Sequence, residues 1–215
     1  MRLYSEDTSP WCAPVRAAIY AKGLDIEIVA PPGGLKSDEY RRISVTGTIP
    51  CLILDGGAPL PESMVILAYL DEKFPGRPLR PADAEGRAKV ALIQRLSEGG
   101  LLGPLVQLYH DLAAGLADAR GAALERLTAG LGRLEAFIAG GDGYAAGPAF
   151  TLADCVLAPA LFGVIAWGPG LGDPGLVQRF PKLAAYAQRA MAHPAIGKVL
   201  DELRAALAAS GTTLG

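Results

Sequence analysis

Gly47-Thr48-Ile49-Pro50-Cys51-Leu52-Ile53-Leu54-Asp55-Gly56-Gly57 reads as a strand held between two turns. Cys51 to Leu54 is a short apolar run with Pro50 at its mouth, and Asp55-Gly56-Gly57 is a tight turn leading to a fourth short strand. Glu62-Ser63 then opens a helical pattern over 63–74. Ile66, Leu67 and Leu70 share one face of it, and it stops at Pro75-Gly76. Upstream, residues 2–5 begin with an apolar alternation, and 26–30 alternate more clearly, as half-buried strands do. Between them, 14–23 set Val15, Ala18, Ile19 and Lys22 at helical spacing. Pro14 suits the first turn of that helix and Gly23 its stop.

The character of the chain changes near residue 80. Residues 75–83 carry Pro75, Pro78 and Pro81 and no period, which predicts a stiff linker. Beyond it the pattern predicts about five helices, over 84–114, 120–139, 152–167, 180–192 and 195–209. Gly99-Gly100 and Pro104 should kink or break the first of these. Thr151 and Asp154 have capping-box spacing, with Asp in place of the usual Glu.

Composition narrows the function classes. The 215 residues are 51% hydrophobic, which excludes a disordered chain. Twenty basic residues nearly cancel 22 acidic ones, so no long-range field draws in nucleic acid. Cys12, Cys51 and Cys155 are too scattered for a disulfide framework. With only His110 and His193 in the chain, no metal-ligand spacing is visible. The polar N-terminus does not read as a signal peptide, and no apolar run reaches the roughly 20 residues that span a bilayer. The expectation is a cytoplasmic protein with no metal, no nucleic-acid partner and no membrane.

Four local features carry chemistry, each with a plainer reading beside it. Ser9-Pro10-Trp11-Cys12 lies between the first strand and the first helix, where helix N–H groups favour an anion. Ser9 either serves that anion or merely caps the helix. Cys12 falls in the first turn, as a low-pKa thiolate or as an inert buried thiol. Ile49-Pro50 precedes a strand; an X-Pro bond is cis in only ~5–6% of cases, so the residues alone favour an ordinary trans turn. Glu62-Ser63 brings a carboxylate, a hydroxyl and helix N–H groups together, which suits an α-amino acid headgroup, or else Ser63 simply caps. Lys36 follows Gly33-Gly34-Leu35 in a loop, as a ligand to an anion or as a solvated lysine.

In their order and spacing these features resemble the glutathione transferase superfamily, over essentially the whole chain. Phe150-Thr151-Leu152-Ala153-Asp154 is similar to the capping motif of that family's buried core helix. The resemblance implies an α/β thioredoxin-like N-terminal domain (1–76, a mixed sheet with a cis-proline), a linker (77–84) and an all-α C-terminal domain (85–215). It implies glutathione as co-substrate. Ser9 would be the catalytic hydroxyl, stabilising the glutathione thiolate without acting as a nucleophile. Lys36 would pair with the glycyl carboxylate, Ile49 before a cis Pro50 would bond the cysteinyl backbone, and Glu62 and Ser63 would hold the γ-glutamyl group. Trp11, Tyr109 and Trp167 are the candidates to wall the site of a small hydrophobic electrophile, with ordinary core packing as their plainer reading, and His110 and His193 read as structural.

The active-site segment departs from each subgroup it resembles. Omega-like members carry Cys-Pro-aromatic-(Cys or Ala) and zeta-like members Ser-Ser-Cys, whereas this chain has Ser9-Pro10-Trp11-Cys12. The expected reaction is glutathione conjugation, ether cleavage, dehalogenation or isomerisation. Thiol exchange through Cys12 and a non-catalytic, regulatory binding protein are the alternatives. The resemblance also implies a homodimer, with 63–69 and 89–103 near its interface.

Overall fold

The computed structural model describes residues 1–210. A four-stranded sheet has the order β2-β1-β3-β4, from β1 (Arg2–Tyr4), β2 (Glu27–Val29), β3 (Cys51–Ile53) and β4 (Pro59–Pro61). β2 runs parallel to β1, while β3 is antiparallel to both β1 and β4. One register row joins Val29, Tyr4, Cys51 and Pro61, and the next joins Ile28, Leu3, Leu52 and Leu60.

Strand alternation sorts these rows onto two faces. Leu3 and Leu52 point into the main core, with Val15, Ala18 and Ile19 of α1 (Ala13–Lys22) and Ile66, Leu67 and Leu70 of α3 (Ser63–Lys73). Tyr4 and Cys51 point the other way and form a small second core with Tyr40 of α2 (Asp38–Ile43). The sequence reading left 38–43 out of any element. Its six residues are too short for a helical period, and Ser37, which accepts from the Tyr40 N–H at 3.0 Å, is the cap that marks it. α1 ends as its glycine predicts: Gly23 has φ +64°, and the N–H groups of Gly23 and Leu24 return to Tyr20 and Ile19 carbonyls.

The rest is helical: α4 (Ala84–Ser97), α5 (Gly103–Ala113), α6 (Ala119–Phe137), α7 (Leu152–Trp167), α8 (Pro181–Met191) and α9 (Pro194–Ser210). Gly99-Gly100 does not break the first of these. A π-helical segment, Glu98–Leu102, joins α4 to α5, and Pro104 sits in the first turn of α5, where its missing N–H costs nothing. α7 is apolar nearly all round, hence buried, and packs against α1, α4 and α8. Its N-terminus carries the expected capping box: the Thr151 N–H donates to Asp154 Oδ2 at 2.7 Å, and the Ala153 N–H donates to the Thr151 hydroxyl. The Leu152 N–H reaches the Leu79 carbonyl at 2.8 Å, fixing α7 to the segment that leaves the sheet.

Candidate active site

Strand direction determines which loops meet. β1 and β2 run towards the Tyr4/Val29 end of the sheet and β4 ends there at Pro61, while β3 starts there at Cys51. Four segments therefore emerge from one end: the loop to Ser9, the loop to Lys36, Ile49-Pro50 and Glu62-Ser63. They are far apart in sequence and share that end only because the sheet is mixed, the Lys36 loop leaving the β2 edge and Glu62-Ser63 the β4 edge.

Each segment is held by its own contacts. The Ser5 N–H donates to the Val29 carbonyl, and the Ser9 carbonyl accepts from the N–H groups of Cys12 and Ala13 as α1 begins. The Ser9 side chain does not cap α1. The cap position belongs to Cys12, with no side-chain bond, and the Ser9 hydroxyl stands at the helix N-terminus beside the Cys12 thiol. Cys12 is fully buried. Burial pushes its thiol above the ordinary value, outweighing the opposite pull of Ser9, Glu6, Ser5 and Arg16.

The Ile49–Pro50 peptide bond is cis. The Tyr40 hydroxyl donates to the Thr48 carbonyl at 2.7 Å, and Tyr40 itself is fully buried edge-on to Tyr4 at 5.3 Å. That contact anchors the turn ahead of β3. Lys36 is exposed, beyond a turn in which Gly33 and Gly34 both have positive φ.

Glu62, rather than Ser63, occupies the cap position of α3, and its φ of 72° is the sole positive value for a non-glycine among the described residues. Such a backbone persists at a cost of about 1–3 kcal/mol, and such residues cluster at ligand-binding sites. Its carboxylate is exposed, while Ser63 is buried as the first residue of the helix.

The aromatic candidates are less closely gathered. Trp11 is half-buried beside Ser9 and Cys12 and packs on the main core. Tyr109 on α5 is 63% exposed, with the His110 ring edge-on at 5.6 Å. Trp167 closes the far end of α7 and also packs on the core. Among the described residues, no ring contact joins these three to one another. His193 is structural, stacked on Phe150 at 3.8 Å with its Nδ1 accepting from the Ala195 N–H at 3.3 Å.

Two surface hollows, of about 480 and 750 Å³, lie elsewhere: one beside Lys22 and Arg77, the other against Arg2, Arg42 and Asp55. Among the described residues, no group of three or more His, Cys, Asp or Glu is placed to hold a metal, and no helix is long and apolar enough to cross a membrane. The sequence reading passed over Asp7 and Arg16. An arginine between Val15 and Ala17 in an otherwise apolar helix was the available signal.

Comparison with known proteins bears on both halves. Residues 3–78 match the glutathione S-transferase N-terminal domain family and residues 117–189 the glutathione S-transferase C-terminal domain family. Glutathione S-transferase Z1 of Arabidopsis thaliana is 32% identical over 178 residues, covering 77% of each chain. Maleylacetoacetate isomerase of Rattus norvegicus is 33% identical over 163 residues, covering 73% of this chain and 74% of that one. Among solved structures, a glutathione S-transferase of Methylobacterium radiotolerans in complex with glutathione sulfonate aligns with a TM-score of 0.76 at 27% identity, over 92% of this chain and 93% of that one.

Proposed function

The chain belongs to the glutathione S-transferase family, and on that premise we propose that it binds glutathione at the Tyr4/Val29 end of the sheet and turns its sulfur on a small hydrophobic electrophile. The observation that carries this reading is that the segments bearing Ser9, Ile49 and the strained Glu62 leave the same end of the sheet. Glu62 and the N-terminus of α3 present an acceptor and donors suited to the γ-glutamyl amine and carboxylate. Ile49 offers its backbone to the cysteinyl peptide, and Lys36 reaches the glycyl carboxylate. Residues 1–76 then act as the glutathione-binding domain, and 77–84 as the linker. Residues 85–215, of which 211–215 lie outside the described residues, supply the apolar wall.

A free thiol with a pKa of about 8.5 is only a few per cent thiolate at neutral pH. Ser9 donates to the glutathione sulfur, and the N-terminus of α1 adds its positive end; both favour the ionised form. The thiolate attacks an electrophilic carbon, with Trp11 as the nearest apolar wall and Tyr109 and Trp167 contributing from the helices. Relatives named maleylacetoacetate isomerase favour isomerisation: addition of the thiolate to an activated cis double bond, rotation, and expulsion of the same thiolate. Glutathione is then regenerated and no oxidant is needed. Thiol exchange through Cys12 is disfavoured because that sulfur is buried and held protonated. The exposed Val65 on α3 and Leu92 on α4 fit an interface with a second copy of the chain.

Calorimetric titration with glutathione, followed by the ultraviolet absorbance of the bound thiolate across about pH 5–9, tests the reading. Saturable binding with a thiol pKa well below 8.5, and turnover of a maleyl-type diketone, are expected. Binding without turnover would point to a regulatory protein, and no binding would sink the proposal.

A further inference from the structure

Arg16 is a charged side chain that the thiolate chemistry above does not use. It is fully buried within α1. Its Nη1 pairs with Asp7 Oδ1, in the loop between β1 and Ser9. Its Nη2 lies 2.7 Å from Glu202 Oε2 and 3.4 Å from the Val199 carbonyl, both on α9. Glu202 also accepts from the Tyr20 hydroxyl at 2.8 Å, and Lys198 stands 4.0 Å from the centre of the Tyr20 ring. Among the described residues the Arg16 Nε has no hydrogen-bond partner, and the buried charge is met by these two carboxylates and one carbonyl.

Asp7 is two residues from Ser9, and the Ser9 N–H donates to the Glu6 carbonyl at 3.1 Å. Residues 6–9 thus form one turn with Asp7 as its tether. A guanidinium is a planar, rigid fork, so its two arms cannot shift independently. Moving α9 moves Glu202, and through Arg16 it moves the turn that carries the hydroxyl.

We propose that Arg16 is a positioning residue for Ser9, coupling the Asp7 turn to α9 through Glu202. The inference rests on the reading of Ser9 as the group that holds the glutathione thiolate. Reacting groups displaced by about 1 Å can lose about 100-fold in rate, so a tether at this distance matters.

The experiment compares Asp7→Asn, Glu202→Gln, their double variant and Ser9→Ala in the full chain. Glutathione is the probe, read by the thiolate absorbance as pH is varied and by its Kd. Asp7→Asn is expected to raise the bound-thiol pKa by about one, a roughly tenfold smaller thiolate-to-thiol ratio at neutral pH, with Kd held within about twofold. Glu202→Gln should shift it the same way by less, and the double variant should fall short of the sum, because both act through one guanidinium. Asp7→Glu, which keeps the charge, should recover part of the loss. If Asp7→Asn and Glu202→Gln lower only the melting temperature while Ser9→Ala raises the thiol pKa, the tether is structural and this inference is overturned, leaving Ser9 in its role. If Ser9→Ala leaves the pKa unmoved, both fall.

Discussion

Lys22 Nζ stands 2.9 Å from Asp71 Oδ1, with both side chains buried where α1 and α3 meet the segment leading to the helices. Asp71 also accepts from the Leu79 N–H at 2.7 Å and from Arg80 Nε at 2.9 Å, and Lys22 reaches the Arg77 carbonyl at 2.6 Å. Burial alone would raise the Asp71 pKa; these donors outweigh it and hold the carboxyl below its ordinary value. Asp71→Ala leaves Lys22 buried without its carboxylate and should cost about 3–5 kcal/mol in chemical denaturation. The double change Asp71→Leu with Lys22→Met should cost less, because no buried ammonium is left unpaired and Arg80 keeps Glu72 at 3.0 Å, the remaining loss being the acceptor of the Leu79 N–H.

On the proposed reading, Ser9→Ala removes a donor to the bound sulfur. Turnover at neutral pH should fall about 10- to 100-fold, the about 1.5–3 kcal/mol of a hydrogen bond to a charged group. The activity should recover as pH rises towards the raised thiol pKa. A pH–rate profile superimposable on that of the parent would make Ser9 a bystander.

Glu62 combines an observed backbone strain with a proposed glutathione contact, and substitution can separate the two. Glu62→Gly relieves the positive φ and should keep or raise the melting temperature, while glutathione binding weakens with loss of the carboxylate. Glu62→Ala loses the carboxylate and keeps the strain, so its stability should fall below that of the glycine variant while its affinity for glutathione matches it. Equal affinity for glutathione in the parent and in Glu62→Gly would remove the carboxylate from the site.

Gly130 on α6 meets the π segment at Gly100. A Cβ on Gly130 would stand 2.2 Å from the Gly100 carbonyl oxygen, whereas one on Gly99 would meet nothing within 4 Å. Gly130→Ala should therefore destabilise by at least the ~1–3 kcal/mol of an overpacked contact. Gly99→Ala, in the same turn as Gly100, should be neutral or gain up to about 1 kcal/mol of helix propensity. Urea denaturation of the pair reads the difference.

His193 gives the fold a pH dependence. Burial lowers its pKa below the ordinary value of about 6.5. The unfolded chain therefore takes up this proton at higher pH than the folded one. The contribution is complete above about pH 6.5 and is lost as pH falls through the folded value. His193→Gln should flatten the slope of stability against pH in that interval; an unchanged slope would assign it to other groups.

Local patterns carried much of this molecule in its sequence. Gly23 after an apolar helix and Thr151 and Asp154 three residues apart each depend on neighbours within one turn, and each forms as read, whereas Pro104, expected to kink or break a longer helix, sits in the first turn of α5. That the segments carrying Ser9, Lys36, Ile49 and Glu62 leave the same end of the sheet was legible only through their family-like order, since no local rule relates residues 9 and 62. Sheet order and strand direction set that shared end. α2 was too short to show a period, and the kink or break expected at Gly99-Gly100 takes the form of a π-helical segment whose close approach to the Gly130 backbone the sequence does not show. The positive φ of Glu62 and the Asp7–Arg16–Glu202 link belong wholly to the tertiary structure. A side chain's partner 186 residues away leaves no periodic mark, and a strained backbone is held by the packing around it rather than by its own residue type.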